Sequence, residues 1–114
     1  MQTNADWTVI TTESLDRHND YIQVYVMRRA DGNGFIVSDC GDTMLDVAQS
    51  GCDTDAPSFR ARIDAALEGC GVLMELDNSF WLEADESNLS EMQDRLIRAI
   101  VAVHKIVEQE VCNF

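Results

Sequence analysis

Residues 20–42 read DYIQVYVMRRADGNGFIVSDCGD, and how this stretch folds decides the architecture. Two runs rich in β-branched and aromatic residues flank a cluster holding Asp31-Gly32 and Asn33-Gly34. Glycine supplies the positive φ that tight turns need, so this pattern predicts a β-hairpin. Ile22, Val24 and Val26 alternate with Tyr21, Gln23, Tyr25 and Met27, which gives the first strand one apolar and one mixed face. A two- or four-residue loop pairs even positions of that strand with odd positions of the next. Phe35 and Val37 then share a face with Ile22, Val24 and Val26. After the second strand, Ser38-Asp39-Cys40-Gly41-Asp42 is a turn in which Gly41 takes positive φ and Asp42 caps a helix.

Downstream, the spacing predicts a helix from Thr43 to Ser50 with Met44, Leu45, Val47 and Ala48 on its inner face and Gly51 as its stop. Pro57 sits in the first turn of a second helix, where Phe59, Ile63, Ala66, Leu67 and Cys70 recur at helical spacing and Gly69 and Gly71 close it. A second hairpin follows. A three-residue loop at Asp77-Asn78-Ser79 pairs Leu76 with Phe80 and Met74 with Leu82. It collects Val72, Met74, Leu76, Phe80, Leu82 and Ala84 on one face and leaves Glu75, Trp81 and Glu83 on the other. Asn88 with Glu91 three residues on has the form of a capping box. It opens a long helix whose stripe is Leu89, Met92, Leu96, Ile100, Val103, Val107 and Val111, widened by Ile97, Val101 and Ile106. At 1.5 Å per residue this helix is roughly 35 Å long, enough to cross a small sheet.

Upstream, residues 1–6 are a polar, frayed end. Residues 7–12 make an edge strand, and residues 13–20 a loop or single helical turn. The expected order is β-β-β-α-α-β-β-α. That is a single α+β domain over residues 1–114, with a five-stranded, mainly antiparallel sheet, helices on one face and a long C-terminal helix.

Charge narrows the function. Twenty-one acids against eight bases give a net charge of −13. A magnitude of about 2–8 suffices to keep a small domain soluble. Phosphate backbones and anionic lipids repel such a chain, so neither direct nucleic-acid binding nor membrane binding is expected. Basic protein surfaces attract it. The cysteines, Cys40, Cys52, Cys70 and Cys112, show no zinc-site spacing. The start, MQTNADWTV, is not a signal peptide, and no apolar run reaches membrane-spanning length. These features point to a cytoplasmic setting with four free thiols.

The chain resembles a catalogued bacterial and phage family, the domain of unknown function 1828. Asn19-Asp20-Tyr21-Ile22 before and into a strand, Ser38-Asp39-Cys40-Gly41-Asp42-Thr43 after one, a short helix ending at Gly51 and an amphipathic terminal helix carry the likeness, over about residues 7–107. Cys40 stands where the family pattern implies a second acid. The resemblance implies no activity; a phage or mobile-element setting implies a role in conflict between phage and host.

Three constellations have chemistry to offer. His18, Asp20, Asp39 and Asp42, with Asp16 nearby, could bind Mg²⁺ or Mn²⁺, which makes a metal-dependent hydrolase or nuclease-like enzyme the alternative reading. Its rival is structural: Asp42 caps a helix, Asp39 bonds turn amides and Asp20 blunts a strand end. Cys40 before a helix N-terminus has the position of a nucleophile, with only His18 or His104 to serve as base. Glu75, Glu83, Glu86, Glu91 and Asp94, with Trp81 among them, form an acidic face with one aromatic anchor. The last carries the favoured expectation. This is a small acidic binding module, with an enzyme the less favoured reading and no cofactor or catalytic set expected. It occupies a basic, nucleic-acid-handling protein surface as an inhibitor of host defence, in imitation of nucleic-acid charge. A homodimer through the C-terminal helix, using Ile97, Val101 and Ile106, is the rival form.

Overall fold

A computed structural model describes residues 7–30 and 32–110. The first hairpin joins β2 (Tyr21–Arg28) to β3 (Phe35–Ser38). Val26 faces Val37 and Arg28 faces Phe35, the even-to-odd pairing its sequence calls for. The Arg29 N–H donates to the Gly34 carbonyl at 2.8 Å and closes the hairpin. Gly34 has φ 127°, and a Cβ there would lie 2.6 Å from the Ala84 carbonyl oxygen. Only glycine lets the neighbouring strand come that close.

The remaining elements are β1 (Thr8–Leu15), α1 (Asp42–Gln49), α2 (Pro57–Cys70), β4 (Leu73–Met74), β5 (Phe80–Ala84) and α3 (Leu89–Glu110). The order along the chain is the expected β-β-β-α-α-β-β-α. The five strands lie in the order β1-β2-β3-β5-β4, and every neighbouring pair is antiparallel. Helix α3 crosses β5, β3 and β2 on one face, and α2 packs along α3. Between the layers lie Val24, Val37, Phe80 and Leu82 of the sheet, Leu96, Ile100, Val103 and Val107 of α3, Ile63 and Leu67 of α2, and Met44 and Val47 of α1, all buried. Burying a side chain of this kind contributes roughly 1.5–3 kcal/mol, so the α3 stripe is the largest single contribution to the core.

Several local readings change. Strand β1 runs on through Glu13, Ser14 and Leu15, where a loop was expected. The register shifts between Thr11 and Leu15. Across that irregularity Thr12 Oγ1 donates to the Ile22 carbonyl at 2.8 Å and accepts the Ser14 N–H at 3.1 Å. A bulge repaired by one hydroxyl thus carries the strand through a stretch without clean alternation. In α1, Leu45 is 57% exposed and Ala48 is exposed, so the inner face is narrower than expected.

The second hairpin keeps its predicted face but slides. Leu73 pairs with Trp81 and Met74 with Phe80, and the Glu75 N–H meets the Ser79 carbonyl at 2.9 Å. The three-residue loop is therefore Leu76-Asp77-Asn78, and Leu76 is fully exposed at its tip. Turn chemistry decides this: Asn78 takes φ 70°, and the Asp77 carboxylate accepts the Ser79 N–H at 3.0 Å and its hydroxyl at 2.6 Å. The start of α3 is tied down by Asp85, whose carboxylate accepts the Ser87 and Asn88 N–H groups at 2.8 and 3.0 Å. Asn88 Oδ1 accepts the Asp85 N–H at 2.7 Å, and Glu91 pairs with Arg95 at 3.0 Å, in place of the expected capping box.

Cys40 and Cys70 are free, but Cys52 is disulfide-bonded. The expectation of four free thiols is therefore wrong for Cys52; spacing alone says nothing about which cysteines the fold brings together. Residues 1–6, Val111 and Cys112 lie outside the described residues. No described helix is long and apolar enough to cross a membrane.

Candidate functional site

Asp39 is the polar knot of the molecule. It is 1% exposed and follows directly on β3. Its Oδ1 accepts the Gly41 N–H at 2.8 Å and the Phe80 N–H at 2.9 Å, and its Oδ2 accepts the Thr43 N–H at 3.1 Å. One carboxylate thereby holds β3, the start of α1 and β5 together. Burial pushes this carboxyl above the usual range, against the pull of the hydrogen bonds from Thr43, Phe80 and Gly41. Asp39, not Asp42, caps α1: the N-cap residue is Gly41 with φ 86°, which has no side chain of its own to offer. Asp42 instead accepts the Tyr25 hydroxyl at 2.9 Å. Burial first, then the Asp42 carboxylate, push the Tyr25 pKa up to about 12.

Cys40 occupies the same turn with φ 55°. Burial and the neighbouring Asp39 and Asp42 carboxylates push its thiol up, against the Ser38 hydrogen bond. A nucleophilic cysteine needs the opposite environment.

The expected His/Asp group assembles only in part. A pocket of about 210 Å³ between the β1–β2 turn, α1 and α3 is lined by Asp16, His18, Asp20, Asp42, Asp46 and His104, among others. Asp39 is not in it, because its oxygens are committed to backbone amides. Asp16 shapes the turn by accepting the His18 and Asp20 N–H groups at 2.8 and 3.0 Å. Asp46 is the hub: His18 Nε2 lies 3.0 Å from Oδ1, and the Arg17 guanidinium 3.0 Å from Oδ2. Arg17 also donates to the Ser50 hydroxyl. His104 Nδ1 lies 4.0 Å from Asp46 Oδ2 and has no hydrogen-bond partner. Burial holds the His104 pKa below its ordinary value, Asp16 and Asp46 notwithstanding. Sequence reading missed Asp46 and named His104 only as a base for Cys40. Asp46 was findable, since it follows Asp42 by one helical turn and shares its face; His104 looked like any polar residue beside an apolar stripe. Among the described residues, no three His, Cys, Asp or Glu side chains are placed to hold a metal ion.

The predicted acidic face is divided by the sheet. Alternation sends every second residue away from the helices. Cross-strand pairing lines up Val9, Tyr25, Ser38, Trp81 and Leu73 as one row over all five strands, with Met27, Ile36 and Glu83 beside it. Val9 and Leu73 are 51% and 54% exposed. Trp7, Ile36, Ser38, Glu75, Ser79 and Trp81 line a shallow, mostly apolar depression of about 270 Å³. Trp81 is half-buried in it, and its indole N–H has no partner. Glu75, Trp81 and Glu83 are thus gathered on this open face, where Glu83 also pairs with Arg29 at 3.0 Å. Glu91 and Asp94 are exposed on α3, on the helical side, and Glu86 sits in the turn at the sheet's end. The homodimer reading loses Ile106, which is buried in the core, while Ile97 and Val101 are partly buried against it.

The comparisons agree with the resemblance and add no activity. Neither the curated proteins nor the solved structures contain a match to the chain. The family model of the domain of unknown function DUF1828 matches residues 12–103, from the middle of β1 into the last third of α3, and the chain belongs to that family.

Proposed function

We propose that this protein is a small acidic binding module that docks on a basic surface of another protein. The observation that carries the reading is the open face of the sheet. A row that is apolar or aromatic on every strand but β3, where it is Ser38, crosses the sheet there, Trp81 of β5 lies within it, and Glu75 and Glu83 stand beside it. An aromatic anchor in a shallow apolar depression, rimmed by charge, is the composition of a protein-docking patch. The net charge of −13 supplies the long-range attraction. Glu86, Glu91 and Asp94 add to the field without touching the patch.

The form we favour is an inhibitor from a phage or mobile element. It would sit in the cytoplasm on a nucleic-acid-handling complex of host defence, where its carboxylates stand in for phosphates. Pull-down from the host, followed by binding kinetics on the captured protein, tests this. Reversing Glu83 and Glu86 to Lys slows association and flattens its salt dependence, while Trp81→Ala mainly speeds dissociation. Unchanged kinetics in both variants would remove the open face from the interaction.

A further inference from the structure

We infer that the depression on the open face receives one arginine side chain of the basic partner, its guanidinium stacked on the Trp7 and Trp81 indoles and bonded to the Glu75 carboxylate. This rests on the open face being the docking surface and says what docks there. Both tryptophans of the chain line that one depression, together with Ile36, Ser38, Ser79 and Glu75. Trp7 comes just before β1 and Trp81 lies in β5, with β2 and β3 between those two strands in the sheet. Among the described residues neither indole makes a ring contact, so the two are neither stacked on each other nor covered by a cation of the chain.

What the depression offers decides what fits. The Trp81 indole N–H is buried, so the part of that half-buried ring left open is carbon surface. The Ser79 hydroxyl donates to Asp77 at 2.6 Å, and Ser38 Oγ accepts the Cys40 N–H at 2.9 Å. Of the two carboxylates beside the row, Glu83 is engaged by Arg29 at 3.0 Å. Glu75 is exposed, and its carboxylate takes part in no hydrogen bond or ion pair among the described residues. The depression is thus aromatic carbon with one uncommitted negative charge. An apolar side chain seated there would strip water from that charge without pairing it, and an acidic one would be repelled. A cation is attracted by the indole faces and the carboxylate together. Lysine meets this poorly. Its compact ammonium is strongly hydrated and carries three donors, and one carboxylate cannot replace the water it sheds. A guanidinium is planar and weakly hydrated. Its flat face lies on an indole while its edge gives two N–H groups to one carboxylate. The space of about 270 Å³ is several times the ~30 Å³ share of a liquid water, which is room for that group and its stem.

The test uses the full chain, ¹⁵N-labelled, whose two tryptophans give two indole N–H resonances. Capped Gly-Arg-Gly is titrated at fixed ionic strength, beside the same peptide with lysine or with citrulline, which keeps the shape of arginine without its charge. Both indole resonances should move and saturate with the arginine peptide, and the other two should bind about tenfold more weakly. Glu75→Gln keeps the size of an exposed side chain and should cost about tenfold in affinity, the order expected when a charge-assisted hydrogen bond is lost. Trp7→Leu removes one stacking face and should weaken binding as well. No saturable shift with the arginine peptide, equal binding of the lysine or citrulline peptide, or unchanged affinity in either variant would overturn the assignment. The docking face fails on a different result, unchanged kinetics of the whole partner with the Trp81→Ala and charge-reversed chains. An arginine peptide that does not bind, beside a partner that leaves Trp81→Ala faster, would remove the arginine and keep the docking face.

Discussion

The two faces of the sheet are made from alternate residues of the same strands, yet they differ sharply in burial. On the covered face Val24, Val37 and Phe80 are completely buried. On the open face, one residue along in each case, lie Tyr25, Ile36 and Trp81, none fully buried, with Val9 and Leu73 half out in water at the ends of the row. Folding accounts for the first set. Nothing in folding requires the second to be apolar, since an antiparallel sheet can carry polar residues on its solvent side.

Substitutions can break or sharpen that difference. The largest effect is expected at Asp39→Ala, which orphans three backbone N–H groups. At ~1–3 kcal/mol for each buried donor left unpaired, the loss should exceed about 3 kcal/mol in urea unfolding. Asp42→Ala, which removes only a bond to Tyr25, should cost under about 1 kcal/mol. Equal losses would mean that Asp39 is not the knot. Neighbours on opposite faces come next. Phe80→Ala empties a fully buried site and should cost about 3–5 kcal/mol. Trp81→Ala should cost less than half of that, and a larger loss would make Trp81 part of the core.

Smaller effects test the edges of the account. The Cys52 disulfide should contribute about 2–4 kcal/mol, so reductant should lower the melting temperature. An unchanged midpoint would show the bond to be absent in solution. The pH dependence at His104 should be smaller still. Burial sets its folded pKa below the unfolded 6.5, so the native state binds fewer protons in the interval between the two. Stability is therefore full above 6.5 and falls as pH drops through 6.5 toward the folded value. Asp16 and Asp46 oppose this fall, and Arg17 and His18 reinforce it. His104→Leu should flatten the curve in that interval, and an unaltered slope would place the proton elsewhere.

Legibility followed the range of the interaction. The first hairpin was readable because its turn glycines and its alternation agree, and the even-to-odd pairing seen at Val26 and Val37 follows from an even loop length. The α3 stripe was readable from periodicity. The second hairpin was half-readable: its face held, but Leu76 went to the tip because an Asp-Asn turn outweighed one exposed leucine. Capping by Asp39 was not readable. Asp42 had the right sequence position, while Asp39 reaches the helix only because Gly41 turns the chain and β5 brings Phe80 alongside. The candidate site suffered in the same way. Glu75, Trp81 and Glu83 were correctly grouped by strand parity. Glu91 and Asp94 were added by proximity in sequence, which a sheet with helices on one side overrides. The meeting of Asp46, His18 and His104 joins three distant parts of the chain, and no local pattern encodes it.

The central claim is that the open face, through Trp81, is where this protein meets a basic partner. The most direct measurement is the Trp81 indole N–H resonance of the ¹⁵N-labelled protein, assigned with Trp81→Phe and followed as the captured partner is added to saturation. The account predicts that this resonance shifts or broadens together with the amides of Ile36 and Glu83, while those of Glu91 and Asp94 on α3 stay in place. A bound complex in which the Trp81 resonance is unmoved and the α3 signals respond would contradict it.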